Sequence, residues 1–179
     1  NNEAKKGGVI YVDKNYKCSD ISQNLFNATD QGVAYNDVMA AGEDDYGYIT
    51  HVNLNKGRIY YNVSTEEGGG LYAGKSGIGT FDVAVGSTSS TPITIELNGD
   101  NSTTTTTTKG GGIYVDNGNV AISEGTMIRY NDVTVNGGGL YVNNGNVEIN
   151  SGTIDSNKAN NDGGGIYVNG GNVEISGGE

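Results

Sequence analysis

The chain has 179 residues, with 31 Gly, 12 Tyr, one Pro, one Cys, no Trp and a formal net charge of −11. Its 34% apolar content lies below the roughly 45–50% of a typical globular composition counted with Gly. Abundant Gly and Asn disfavour helix, ordered alternation of Ile, Val and Tyr disfavours disorder, and one Pro without a Gly-X-Y period excludes collagen. A single Cys18 excludes an intramolecular disulfide framework, and no run of 18 apolar residues exists to cross a membrane as a helix. Nucleic acid is excluded as a partner: after Lys109 only Arg129 and Lys158 are basic, against eight acids, where phosphate contacts need clustered cations.

Taken in chain order, residues 1–56 are the least regular. Gly7-Gly8-Val9-Ile10-Tyr11-Val12 is a loose copy of a motif that recurs later. Beyond it, Ile21-Ser22-Gln23-Asn24 offers a degenerate corner and Gly47 to Val52 strand material. Between Gly8 and Gly68 there is room for two irregular coils, read as the N-terminal coils or cap of a repeat structure. The start at Asn1 without Met and the end in mid-pattern suggest a processed part of a longer protein.

From residue 57 to 179 the pattern is regular. Gly68-Gly69-Gly70-Leu71-Tyr72-Ala73 returns as Gly110 to Val115, Gly137 to Val142 and Gly163 to Val168, the last three spaced by 27 and 26 residues. A second element, Asn119-Val120-Ala121-Ile122, recurs as Asn146 to Ile149 and Asn172 to Ile175. A third, Ile-x-x-Asn, ends at Asn62, Asn131 and Asn157, each six residues before the first Gly of a triplet. Self-similarity at such a period marks a solenoid. Three short strands per turn of about 26–27 residues, each pairing with its copies above and below, predict an all-β, right-handed, single-stranded parallel β-helix. The 42 residues from Gly68 to Gly110 exceed one coil, so a Ser/Thr-rich loop is expected near 98–109, after a strand at Ile93 to Leu97.

Alternation fixes the faces. With Ile113 and Val115 inward, Tyr114 points outward, and Tyr72, Tyr114, Tyr141 and Tyr167 are expected as an exposed aromatic row able to stack on glycan or a neighbouring chain. Asn62, Asn131 and Asn157 are expected as inward corners forming a structural ladder of amides. Glu148 and Glu174 fall on adjacent outward rungs.

The pairing of Gly-Gly-x-Ile/Leu with a preceding x-x-x-Asn resembles the repeat of polymorphic outer-membrane proteins, marked by GGA[I/L/V] and FxxN. Here Gly-Gly-Gly-Ile (Gly110 to Ile113) stands for the first motif and Ile-x-x-Asn for the second, over about 57–179. The resemblance implies a β-helical surface protein or adhesin segment, displayed extracellularly.

Enzymatic β-helices set the rival reading, a polysaccharide-binding or polysaccharide-cleaving protein of lyase or glycoside hydrolase type. It needs convergent carboxylates with a cation or base. Glu43-Asp44-Asp45 with His51 is the nearest set, and it reads better as a solvated acidic loop, so no catalytic residue is assigned. Cys18 lacks the companions of a nucleophile. Asp116-Asn117 and Asn161-Asp162 lack calcium-loop spacing, so no metal or cofactor is expected. Three sequons, at Asn27, Asn62 and Asn101, could carry glycan; Asn101 is expected to be the most accessible and Asn62, as a corner, the least. The expected role is a stalk, adhesin segment or filament subunit, with self-association, other surface proteins or glycans as partners.

Overall fold

The computed structural model describes residues 3–6, 10–12, 36–44, 47–74, 81–87, 91–101 and 105–179, and among these there is no helix. The recurrent strands stack coil upon coil in parallel. The first face holds Ile10–Val12, Leu71–Gly74, Ile113–Asp116 and the leading halves of Leu140–Ile149 and Ile166–Ile175. The second holds Gly47–Leu54, Phe81–Val85, Asn119–Ile122 and the trailing halves of the same two long strands. Gly57–Tyr60, Ile93–Glu96, Thr126–Arg129 and Thr153–Asp155 form the third. Shorter pairings close the turn along a fourth side: Glu3–Lys6 with Val63–Glu67, Asp132–Val133 with Lys158–Ala159, and bridges from Lys109 to Glu67 and Asn136. The chain is a parallel β-helix.

Register is the organising fact. Ile113 lies between Leu71 and Leu140, Val120 between Val83 and Val147, and Ile128 between Ile95 and Ile154. These residues form one buried core with Ile59, Val115, Ile122 and Val142. Branched side chains suit such a sheet because they pack on pleated neighbours with little rotamer loss. Each buried Ile, Leu or Val contributes on the order of 1.5–3 kcal/mol. In the last coil nothing lies above the core, and Val168 and Ile175 are exposed.

Ile10–Val12 pairs directly with Leu71–Ala73, and Glu3–Lys6 with Val63–Glu67. Asn36–Asp44 runs antiparallel to Gly47–Leu54 and occupies the outer edge of the second face, where an unpaired edge would otherwise invite association. The Ser/Thr-rich insertion was expected near 98–109. Asn98 and Thr107 are fully buried in the coil, and only Asp100–Asn101 and Thr105–Thr106 pair off as an antiparallel excursion.

The Gly triplets are dictated by two different needs. The first Gly adopts a left-handed conformation, with φ of +68°, +62°, +68° and +62° at 68, 110, 137 and 163, which glycine reaches without a Cβ clash. The third makes a close approach: a Cβ on Gly112 would meet the carbonyl oxygen of Gly139 at 2.6 Å and the Asn131 amide at 3.1 Å. Gly165, in the last coil, would meet only the Ile154 side chain, at 3.9 Å. Gly112→Ala is therefore expected to destabilise the chain by about 1–3 kcal/mol, the usual range for forced overpacking. Gly165→Ala should leave it within about 0.5 kcal/mol. Denaturant melts of the two variants check this contrast.

Candidate functional site

The corner that closes each coil is built by asparagine. The Asn62 backbone N–H and side-chain amide both donate to Asn98 Oδ1, at 3.1 and 3.0 Å. Asn98 repeats the pattern to Asn131 Oδ1, both at 3.0 Å, and Asn131 repeats it to Asn157 Oδ1, at 3.0 and 2.9 Å. Each amide also donates down the stack to a strand carbonyl: Asn98 to Ile59, Asn131 to Ile95 and Asn157 to Ile128. Carboxamides suit this task because one group both donates and accepts, so a column of identical side chains satisfies itself. Asn62, Asn131 and Asn157 thus sit in one ladder. Its second member, Asn98, was missed by sequence reasoning. The signal was there in Ile95-Glu96-Leu97-Asn98, but the insertion places this Asn 12 residues before its Gly triplet instead of six.

The tyrosines of the first face also stack. Ring centroids of Tyr72, Tyr114, Tyr141 and Tyr167 lie 5.2, 4.9 and 5.0 Å apart, and the first three rings are within 8° of parallel. They form a cluster separate from the aliphatic core, but the expected exposure is corrected: Tyr72, Tyr114 and Tyr141 are only 3–4% exposed. The reason is the left-handed Gly that opens each triplet. It folds the incoming chain back over the row, so that a Cβ on Gly110 would lie 2.8 Å from Tyr114 Cβ. Lys109 stands 5.4 Å from the Tyr141 ring centre, and the Tyr72 hydroxyl donates to Asp116 at 3.1 Å. Burial, with Glu67 and Asp116 adding to it, pushes the Tyr114 hydroxyl well above the usual phenol range; burial, followed by Tyr167 and Glu67, also raises that of Tyr141. A ligand cannot reach the Tyr72, Tyr114 and Tyr141 ring faces in this conformation.

Gly-rich corner, buried Tyr and Asn ladder recur together once per coil. Residues 151–169, which contain Ile154-Asp155-Ser156-Asn157 and Gly163-Gly164-Gly165-Ile166, match the family model of the Chlamydia polymorphic membrane protein repeat. Over those residues the chain is similar to the polymorphic membrane protein repeat. No curated protein and no solved structure matches it. In the coil that bears the matched repeat, the Asn of the x-x-x-Asn motif is the ladder corner. The glycines of the following motif make the turn over the tyrosine row.

Of the remaining sequence candidates, the described strands place two. Asp44 lies opposite Gly47 and His51 opposite Met39, about 13 Å apart along the strand at 3.3 Å per residue. Asp45, Cys18 and Asn27 lie outside the described residues. Among the described residues no three His, Cys, Asp or Glu side chains gather where they could hold a metal ion. Asp116 instead accepts hydrogen bonds from Tyr72, Asn117 and Asn143. Of the sequons, Asn62 is buried with its amide committed to the ladder, and Asn101 stands in the antiparallel excursion. Glu148 and Glu174 are in register and exposed, beside a shallow groove of about 480 Å³ lined by Asn119, Asn146 and Asn172 over Ala84 and Ala121.

Sequence reasoning also missed a charge clamp on the third face. Glu96, 3% exposed, accepts from Arg58 Nη2 and, at 2.8 Å, from Arg129 Nε. No spacing rule points to it, since three coils contribute one residue each. Burial alone would raise the Glu96 carboxyl, but hydrogen bonds and charge from Arg58 and Arg129 outweigh it and hold the group below its ordinary value. A depressed carboxyl contributes stability above its unfolded pKa and loses it as pH falls through the folded one. The stability gap between wild type and Glu96→Gln should therefore be complete at neutral pH and shrink below about pH 4, as read by urea melts across that range. Removing Asn98 tests the ladder. Asn98→Ala removes the acceptor of the Asn62 N–H and the donor to the Ile59 carbonyl, while Asn131 Oδ1 keeps the backbone N–H of residue 98; at about 1–3 kcal/mol per orphaned buried group the expected loss is about 2 kcal/mol or more in the same assay.

Proposed function

We propose that the chain is a segment of a cell-surface β-helix that acts as a rigid stalk or adhesin passenger and has no catalytic role. The observation that carries this reading is the column of buried Asn side chains running through four successive corners. Such a column locks each coil to the next by side-chain as well as backbone hydrogen bonds, and it leaves no hinge between coils. A scaffold of this kind sets distance and orientation for whatever it displays.

Three further facts support it. The matched repeat is named for membrane proteins, and no helix among the described residues is long and apolar enough to cross a bilayer, which fits a displayed segment. The formal charge of −11 keeps a repetitive surface solvated and repels anionic membranes. Unlike a cleaving enzyme, which gathers carboxylates around the scissile bond, the described acids are spread over separate faces or engaged as hydrogen-bond acceptors.

Immunolabelling of intact cells of the source organism tests the placement. Antibody raised against the folded chain is expected to label unpermeabilised cells, and exposed protease is expected to remove the signal. Labelling that appears only after permeabilisation overturns the proposal.

A further inference from the structure

The corner between the third face and the Asn ladder carries a row of side chains that folding does not require. The residue before each ladder Asn adopts a left-handed backbone: Tyr61 (φ 56°), Leu97 (φ 56°), Tyr130 (φ 53°) and Ser156 (φ 50°). Gly or Asn meets that conformation at least cost, and a bulky aromatic residue there is an outlier. Strain of this sort tends to be kept where a side chain is used. Both tyrosines are indeed displayed, Tyr61 at 49% and Tyr130 at 52% exposure. Outside the uncovered last coil they are the only large hydrophobic side chains so exposed among the described residues.

Cations surround them. The Arg58 guanidinium lies 4.5 Å from the Tyr60 ring centre and that of Arg129 lies 5.6 Å from the Tyr130 ring centre, while Tyr60 meets Tyr61 edge-on at 5.3 Å. Glu96 neutralises part of this charge but is itself buried, its side chain 4% exposed against 52% for Arg58 and 32% for Arg129. Solvent therefore meets the arginines and not their carboxylate partner. With Lys56 on one side and Asp155 in register with Arg129 on the other, three cations stand against two carboxylates, a local excess of one positive charge in a chain of net −11.

We propose that Arg58, Tyr60, Tyr61, Leu97, Arg129 and Tyr130 form a binding platform for an oligosaccharide bearing carboxylate groups, such as a run of hexuronic acid residues. Tyrosine faces pack on the C–H faces of pyranose rings and keep a hydroxyl for hydrogen bonding. A guanidinium is the group that grips a planar carboxylate with paired N–H donors. Size favours a glycan over a protein. Tyr61 and Tyr130 are two coils apart, about 10 Å at strand spacing, and the row ends at Ser156. A stable protein interface engages roughly 20–30 residues on each partner, against the six of this platform.

The site is separate from the stalk reading, and surface labelling could succeed or fail without touching it. Calorimetric titration of the intact chain with hexuronic acid oligomers, at low salt, is the test. Binding is expected, and methyl esterification of the oligomer should weaken it at least tenfold. The double variant Tyr61→Asn with Tyr130→Asn should also bind at least tenfold more weakly. Because Asn suits the left-handed backbone, that variant should melt at or above the wild-type temperature, which separates lost binding from lost fold. Absence of binding, equal affinity for the ester, unchanged affinity of the double variant, or binding confined to sulfated oligomers or acidic peptides would each overturn the proposal.

Discussion

Parallel pairing in register, one coil directly upon the next, forces each side chain to sit about 4.8 Å from its own counterpart, and the rest of the structure follows from what tolerates that distance. Aliphatic residues tolerate it anywhere in the interior, which gives the ladders through Ile113, Val120 and Ile128. Amides welcome it, since a donor and an acceptor on one group let Asn62, Asn98, Asn131 and Asn157 satisfy one another. Aromatic rings accept it as near-parallel stacking, although offset or edge-on pairs are their preference when free. Charges do not accept it when buried. Where the third face buries a carboxylate, Glu96 is bracketed by Arg58 and Arg129 from the coils on either side, and the like-charged pair Glu148 and Glu174 stays in water.

This constraint explains why so much was legible in the sequence. A fold in which each residue repeats its own environment must repeat its own residue type. Ile-x-x-Asn, the Gly triplet and Asn-Val-x-Ile therefore recur at fixed offsets, and the strands of all three main faces could be placed from spacing alone. The same logic shows where legibility stops. An insertion breaks the offset without breaking the stack, and Asn98 vanished from the pattern because the excursion after it moved the next Gly triplet six residues further away. The first strands show the same effect on a greater scale: Ile10–Val12 and Glu3–Lys6 keep register with Leu71–Ala73 and Val63–Glu67, but their separation in sequence no longer reports it.

The tyrosine row illustrates a different limit. Alternation along a strand tells which side of the sheet a residue leaves from, and Tyr114 does leave the aliphatic core. It does not tell what lies on the far side. Here that space is filled by the polypeptide itself, turned back by Gly110 and its equivalents, so the same glycine motif that marks the repeat also hides the aromatic row beside it. Direction was readable from period two, whereas burial depended on a φ value two strands of reasoning away. The Glu96 clamp failed to register for a related cause: it joins single residues from three coils, and a repeat search discards what does not repeat.

What does not repeat is, on this scaffold, the more informative part for function. Positions fixed by the stack can only maintain the stack, so specificity has to be written in residues that the coil-to-coil rule leaves free. The left-handed corner before each ladder Asn is such a place. Its backbone is imposed by the turn, its side chain points to solvent, and its occupant varies from Tyr61 to Leu97 to Tyr130 to Ser156. Ser156 shows that a small polar side chain is acceptable there, so the two tyrosines are not demanded by the fold. Beside them, Arg58 and Arg129 use Glu96 to hold their guanidinium groups in place while keeping much of their surface in water. In the reading proposed above, a column of ladders behind and an unrepeated aromatic and cationic ridge in front divide the labour of the molecule: the ladders give position, and the corner gives recognition.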